Sequence, residues 1–387
     1  MHREGERVLL VRPVHPHRAN GGFVSNGDIA HVEPDRTYAS ICAFILPRRI
    51  ADHKHAGSTT MIKTRLTEQF DLKHPIVSAP MAMVAGGKLA AAVTAAGGLG
   101  LLGGGYAGIH GGEPDLDEQY RLAGNVPIGI GFITWAAHKA PEKIAWAIER
   151  NPACLFLSFG DPQPFARQAR DAGIPLFCQT QTMRHVREAV DAGATVIVAQ
   201  GAEAGGHGGD RSTFPFVPEA ANWLANHAPD VLLLAAGGIA DGRGLAAALM
   251  LGADGALVGS RFWAAAESLA HPEAVRRGIA ADGDATVQTT AIDAVRGVPW
   301  PREFSYRVLR NRFADEWAGR EAEAFDKFGS MHDAYSEARA RGDFDVALSV
   351  VGEATGLITA RTPAAEIVTS MTAEAEAALR GGAAKIS

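Results

Sequence analysis

The segment Gln200–Gly209 reads Gln-Gly-Ala-Glu-Ala-Gly-Gly-His-Gly-Gly and sets one imidazole, His207, among five glycines. Histidine exchanges a proton near neutral pH and can serve as a general acid or base. Flanking glycines let the backbone pass close to a ligand. A flexible turn with an incidental histidine fits the same residues. Two other glycine-bearing segments suggest a second chemistry: Ala236-Gly237-Gly238-Ile239-Ala240-Asp241-Gly242 and Gly259-Ser260-Arg261. Backbone N–H groups from two such loops, with a helix N-terminus behind them, make an anion site suited to phosphate. Tight strand-to-helix turns would use the same glycines. Gln179 and Gln200 each carry a donor and an acceptor, which suits the edge of a flat, hydrogen-bonding ring. Ordinary polar caps on strands would also look like this. No group of His, Cys, Asp and Glu stands at metal-ligand spacing, and Glu203 with His207 is a poor two-ligand pair, so no metal is expected.

Positioning these residues requires a framework, and the chain from Met61 onward supplies its rhythm. Short apolar runs alternate with helix-like stretches, which signals βα units and a parallel sheet. The runs Pro75–Ser78, Leu99–Leu102, Val126–Phe132, Cys154–Phe159, Pro175–Cys178, Thr195–Ala199, Val231–Ala235 and Gly255–Val258 predict eight strands. The helices expected after them are Gly87–Ala96, Leu116–Ala123, Pro141–Arg150, Pro164–Ala172, Thr182–Ala192, Pro218–Asn226, Gly242–Leu251 and Phe262–Ser268. Eight strands each followed by a helix fit an α/β fold of the (β/α)8 TIM-barrel type, in which the site is built from the loops after the strands. A doubly wound open sheet is the alternative. In the barrel, Ala79-Pro80-Met81 follows the first strand, Gly131-Phe132 the third, Gln179-Thr180 the fifth and Gln200-Gly201 the sixth. The two anion-binding loops follow the seventh and eighth, where barrels commonly hold phosphate. The spacing of Gly98, Gly100 and Gly103 matches a dinucleotide fingerprint, but it follows a helix and contains a strand, so its context is wrong.

Bulk properties bound the rest. The chain has 387 residues, 47% of them hydrophobic, and a formal net charge of −6. That balance gives no electrostatic footprint for nucleic acid or an anionic membrane, and no apolar run reaches membrane-spanning length. The three cysteines, Cys42, Cys154 and Cys178, form neither a zinc pattern nor a disulfide framework, which predicts a reducing, cytoplasmic setting. Residues 1–60 hold six of the fourteen histidines and no sustained periodicity. They are expected to be a disordered extension, or upstream sequence read from an early start codon, with His53-Lys54-His55 part of a solvated tail. Residues 61–270 are expected to form the barrel and 271–345 a small helical insertion over its mouth, including helices at Tyr306–Arg320 and Glu321–Ala340. Residues 346–387 are expected to close the fold with helices at Ser349–Leu357 and Pro363–Arg380.

Taken together, Met61–Phe70, Pro75–Met81, Gln200–Gly208, Ala235–Gly244 and Val258–Phe262 resemble the nitronate monooxygenase family, once called 2-nitropropane dioxygenases. The resemblance extends from about Met61 to Leu269 and implies an FMN-binding TIM barrel that oxidises nitronates or nitroalkanes with molecular oxygen. It implies His207 as catalytic base and Ala79, Pro80, Met81, Gln179, Gln200 and Gly206 around the flavin, with Gly237, Gly238, Gly259 and Ser260 on its phosphate. Two positions depart from some members: Gly131 stands for an asparagine, and Gln179 for a lysine that would stabilise anionic reduced flavin. FMN-dependent enoyl-acyl-carrier-protein reductases, which use NAD(P)H, share almost all of these motifs. In that alternative, Arg302, Arg307, Arg310 and Arg312 could form a basic approach for a carrier protein, or be solvated helix faces. A flavin-binding barrel without turnover is a third reading.

Overall fold

Strands buried on both faces have sequences that are apolar throughout, and the central strands here show why. In β6 (Val196–Gln200), Val196 and Val198 point into the barrel, while Ile197 and Ala199 point out to the helices. In β8 (Leu232–Ala236), Leu232, Leu234 and Ala236 point in, and Leu233 and Ala235 point out. The computed structural model describes residues 61–109 and 113–386, with backbone alone at 328–330. The expectations for residues 1–60, Cys42 included, lie outside the described residues.

Among the described residues the strands are β1 (Ile76–Ser78), β2 (Leu101–Gly105), β3 (Gly129–Ile133), β4 (Leu155–Ser158), β5 (Leu176–Thr180), β6, β7 (Gly206–Gly208), β8, β9 (Gly255–Val258), β10 (Thr286–Thr289) and β11 (Ser305–Leu309). Eight of them form one sheet in the order β1-β9-β8-β6-β5-β4-β3-β2, all pairs parallel. A parallel bridge between Val77 and Leu99 brings the two edges together. The expected (β/α)8 barrel is therefore the observed fold. Its interior is filled from below by Leu66, Leu101, Phe156, Phe177, Val198, Leu234 and Leu257, so it is a packed core with room only at the mouth. Helices pack outside it, and the long closing helix Ala364–Ala383 lies against Gly242–Met250.

Several local expectations need correction. The Tyr306–Arg320 segment is not one helix: Ser305–Leu309 is the strand β11, and a helix follows at Arg312–Trp317. β11 is the centre of an antiparallel three-stranded sheet, β10-β11-β7, which pulls the segment into extended form. The helix after the glycine loop begins at Thr213, earlier than Pro218, which lies inside it. Its start is fixed by Glu203, whose carboxylate accepts from the Thr213 N–H and hydroxyl. Ser349–Leu357 is a short 3-10 turn at Glu353–Leu357 preceded by extended chain, because Ser349 accepts from Leu309 N–H and Glu353 N–H donates to Glu203. Phe262–Ser268 shortens to a helical turn at Ser260–Trp263. No helix among the described residues is long and apolar enough to cross a membrane.

Candidate active site

Period-two alternation decides what reaches the barrel mouth. Phe177 points inward, so Gln179 two residues later does too, and Val198 places Gln200 likewise. Both glutamines border a cavity of about 470 Å3 at the C-terminal ends of the strands. That volume lies within the range of small-molecule and cofactor sites. Ala79, Pro80 and Met81 border the same cavity, as do Gly206, His207, Gly237, Gly238, Gly259 and Ser260. The structure thus brings all eleven residues singled out from sequence to one place.

His207 is not on a flexible turn. It occupies the middle of β7, directly opposite Tyr306 of β11, and is 7% exposed. Cross-strand neighbours on one face approach closely, and the Tyr306 ring stacks on the imidazole at 4.1 Å between centroids. Trp300 stacks on it as well, at 3.3 Å. The imidazole Nε2 lies 3.0 Å from both carboxylate oxygens of Asp293, which is 3% exposed. A buried carboxylate accepting from Nε2–H fixes the tautomer and leaves Nδ1 as the basic nitrogen. Among the described residues, no hydrogen bond engages that Nδ1. Burial holds the imidazole below its ordinary pKa and the nearby Arg296 charge adds to the effect, against the opposing pull of Asp293. The group is therefore neutral, and able to accept a proton, at pH 7.

Gln200 ties this strand to the barrel. Its Nε2 donates to the His207 carbonyl at 3.0 Å, and its Oε1 accepts from Gln179 at 3.1 Å and from Gln181 at 2.9 Å. The Gln200 carbonyl is thus engaged by protein, and the Gln179 carbonyl is the amide acceptor left for a ligand.

The anion loops differ from expectation in one respect. The helix Gly242–Met250 does not present its N-terminus to a ligand: Asp241 accepts from Gly244 N–H, and Glu374 from Gly242 N–H. The loops themselves stay open. Gly237 and Gly238 have φ of 98° and 73°, a conformation that favours glycine. No hydrogen bond among the described residues engages the N–H groups of Gly237, Gly238 or Gly259. Ser260 accepts from Gly352 N–H at 2.9 Å through its hydroxyl oxygen, leaving its proton to donate.

The glycine at 131 has a steric cause. A Cβ there would come within 2.5 Å of the Pro80 ring and 3.2 Å of Phe156 Cβ. Pro80 takes the space that an asparagine side chain would need. Two of the four arginines considered as a carrier-protein approach are engaged by acidic partners within the fold. Arg307 lies in β11 with its side chain 11% exposed, bound to Glu353, Gln288 and the Ala202 carbonyl, and Arg310 pairs with Asp315.

Sequence reasoning missed Asp293, Arg296, Trp300 and Gln181. Asp293 had a usable signal: it is the one charged residue in Ala291-Ile292-Asp293-Ala294-Val295, all five of which are buried. A carboxylate in such a run needs a partner.

A parallel eight-stranded barrel with open backbone donors on its strand-end loops and a buried His–Asp pair at its mouth belongs to the class of α/β-barrel enzymes. The sequence profile of nitronate monooxygenase matches residues 63–151 and 129–374. The chain is 32% identical over 365 residues to a nitronate monooxygenase of Neurospora crassa, covering 84% of this chain and 95% of that protein. Its fold is similar to FabK from Thermotoga maritima, with a TM-score of 0.72 and 28% identity over 84% of this chain and 100% of the other. It is also similar to a nitroalkane oxidase from Streptomyces ansochromogenes, with a TM-score of 0.67 and 27% identity over 81% and 99% of the two chains. The chain belongs to the nitronate monooxygenase family and is an oxidoreductase.

Proposed function

We propose that the cavity binds FMN and that the enzyme oxidises nitronates, and nitroalkanes converted to nitronates on the enzyme, with molecular oxygen. The observation that carries this reading is the buried pair His207–Asp293, whose imidazole shares one cavity with open backbone donors. The residues fit the cofactor. Unengaged N–H groups at Gly237, Gly238 and Gly259, with the Ser260 hydroxyl, would hold its phosphate. Ala79, Pro80, Met81, Gln179, Gln200 and Gly206 would border its ring. Bound there, FMN supplies the electron-accepting chemistry and the route to oxygen.

The protein's own part is the proton. Nδ1 of His207 takes the proton from the carbon that bears the nitro group. Asp293 holds the ring in the required tautomer and stabilises the imidazolium that results. Trp300 and Tyr306 fix the ring plane and keep water from its faces. A pre-formed nitronate has already lost this proton and does not need the base.

The test compares substrates anaerobically, following bleaching of the flavin absorbance. Nitronate bleaches the wild type, and NADH does not. Reduction by NADH with no response to nitronate would favour the enoyl-thioester reductase reading. His207→Asn is expected to lose reduction by neutral nitroalkane and keep reduction by nitronate; full activity on nitroalkane would remove the base assignment. Purified protein without any flavin spectrum would overturn the proposal as a whole.

A further inference from the structure

Arg296 is a buried cation that the mechanism above leaves unused. Its side chain is 10% exposed and borders the same cavity as His207. Its nearest carboxylate oxygen is on Asp293, 3.9 Å from Nη1, and that carboxylate is already committed to His207. Nη2 donates to the Tyr106 hydroxyl at 3.3 Å. The guanidinium otherwise rests against the Tyr106 and Tyr306 rings, 5.7 and 5.5 Å from their centroids. Nη1 is buried with no hydrogen-bond partner among the described residues. Guanidinium is always charged and carries five donors in a planar fork that matches a two-oxygen anion. Leaving such a donor unmet in a buried site is costly, and a ligand that meets it recovers that cost.

We infer that Arg296 is the substrate-binding residue for the two oxygens of the nitro or nitronate group, and that the site selects planar two-oxygen anions. This rests on the reading of the cavity as a nitronate site. The charges then balance through the proton transfer. The resting site holds Asp293 as anion, Arg296 as cation and His207 neutral. When the carbon–hydrogen bond breaks, its proton moves to His207 Nδ1. Its electron pair enters the carbon–nitrogen bond, and the displaced nitrogen–oxygen pair settles on the nitro oxygens. The site then has two cations, His207 and Arg296, matched by two anions, Asp293 and the nitronate. Stabilisation of charge where it develops is the effect expected to lower such a barrier.

The test is calorimetric binding of propionate, a planar two-oxygen anion, against propionamide, its neutral counterpart of the same shape, on the purified holoenzyme. Wild type is expected to bind propionate at least about tenfold more tightly than the amide, and Arg296→Met to lose that preference while binding the amide as before. A wild type without the preference, or a Met variant that keeps it, overturns the inference. If Arg296→Met does not fold, Arg296→Lys replaces it. Lysine keeps the charge without the fork and is expected to weaken propionate several-fold, with unchanged binding overturning the inference. Failure of the nitronate reading looks different: propionate preference would persist in a protein whose flavin does not respond to nitronate.

Discussion

At the scale of single residues, His207, the proposed base, is held by four neighbours. Asp293 sets the tautomer, Trp300 and Tyr306 set the plane, and Gln200 holds the backbone of His207. Asp293→Asn keeps the shape but removes the charge that favours the imidazolium, and its amide, which can donate as well as accept, no longer selects Nδ1 as base. Its kcat/KM on neutral nitroalkane is expected to fall by about 100-fold or more, with little change on nitronate. The pH profile gives a second readout. Burial already lowers the His207 pKa and Asp293 opposes that lowering, so the Asn variant's acidic limb is expected at lower pH than the wild type's. A limb that stayed in place would mean the carboxylate does not act on the imidazole. His207 was legible from its loop, but its partner was not. Asp293 stands 86 residues away, and spacing along the chain carries no information about a contact that a separate segment makes on folding.

At the scale of elements, the barrel was readable because its code is local. Runs such as Thr195–Ala199 and Val231–Ala235 are apolar on both faces, and only a strand between helices and a filled barrel needs that. The segment after β9 was harder. Ser305–Leu309 alternates small or polar residues with apolar ones, a strand pattern, but the charged stretch that follows it reads as helix and hid the boundary. What settles the strand is pairing with β7 and β10, a tertiary effect. The departure at Gly131 gives a prediction at this scale. Gly131→Ala drives a methyl into the Pro80 ring, and overpacking of this sort costs about 1–3 kcal/mol. A lower midpoint in denaturant, together with loss of flavin from the displaced Ala79-Pro80-Met81 loop, is the expected result. A fully stable variant that retains flavin would show that the loop can move aside.

For the molecule as a whole, one buried and two half-buried histidines set an acid limit on stability. Burial lowers the pKa of His74, His185 and His207 below their ordinary value of 6.5. The unfolded chain therefore binds more protons than the folded one as pH falls below about 6.5. Their contribution is fully present above that pH and is lost progressively below it, until the depressed native values are reached. Thermal midpoints measured from pH 8 to 5 are expected to hold level and then decline below about 6.5; a midpoint that rose on acidification would contradict the burial of these rings as neutral groups. Composition gave no hint of this, because it counts histidines without showing which are enclosed.

His207 comes from a barrel loop, whereas Asp293, Arg296, Trp300 and Tyr306 all come from the segment that follows β9. The sheet β7-β11-β10 is the seam between them. Contacts of such long sequence separation form late, after the local βα units have closed. During refolding, parallel-sheet structure should return before reactivity toward either nitroalkane or nitronate, because Arg296 and the partners of His207 arrive with the same later segment. On the roles proposed above, assembly of the site is expected to be a kinetic checkpoint: a chain with a closed barrel and an undocked later segment would carry an unaligned imidazole and show no turnover until docking is complete.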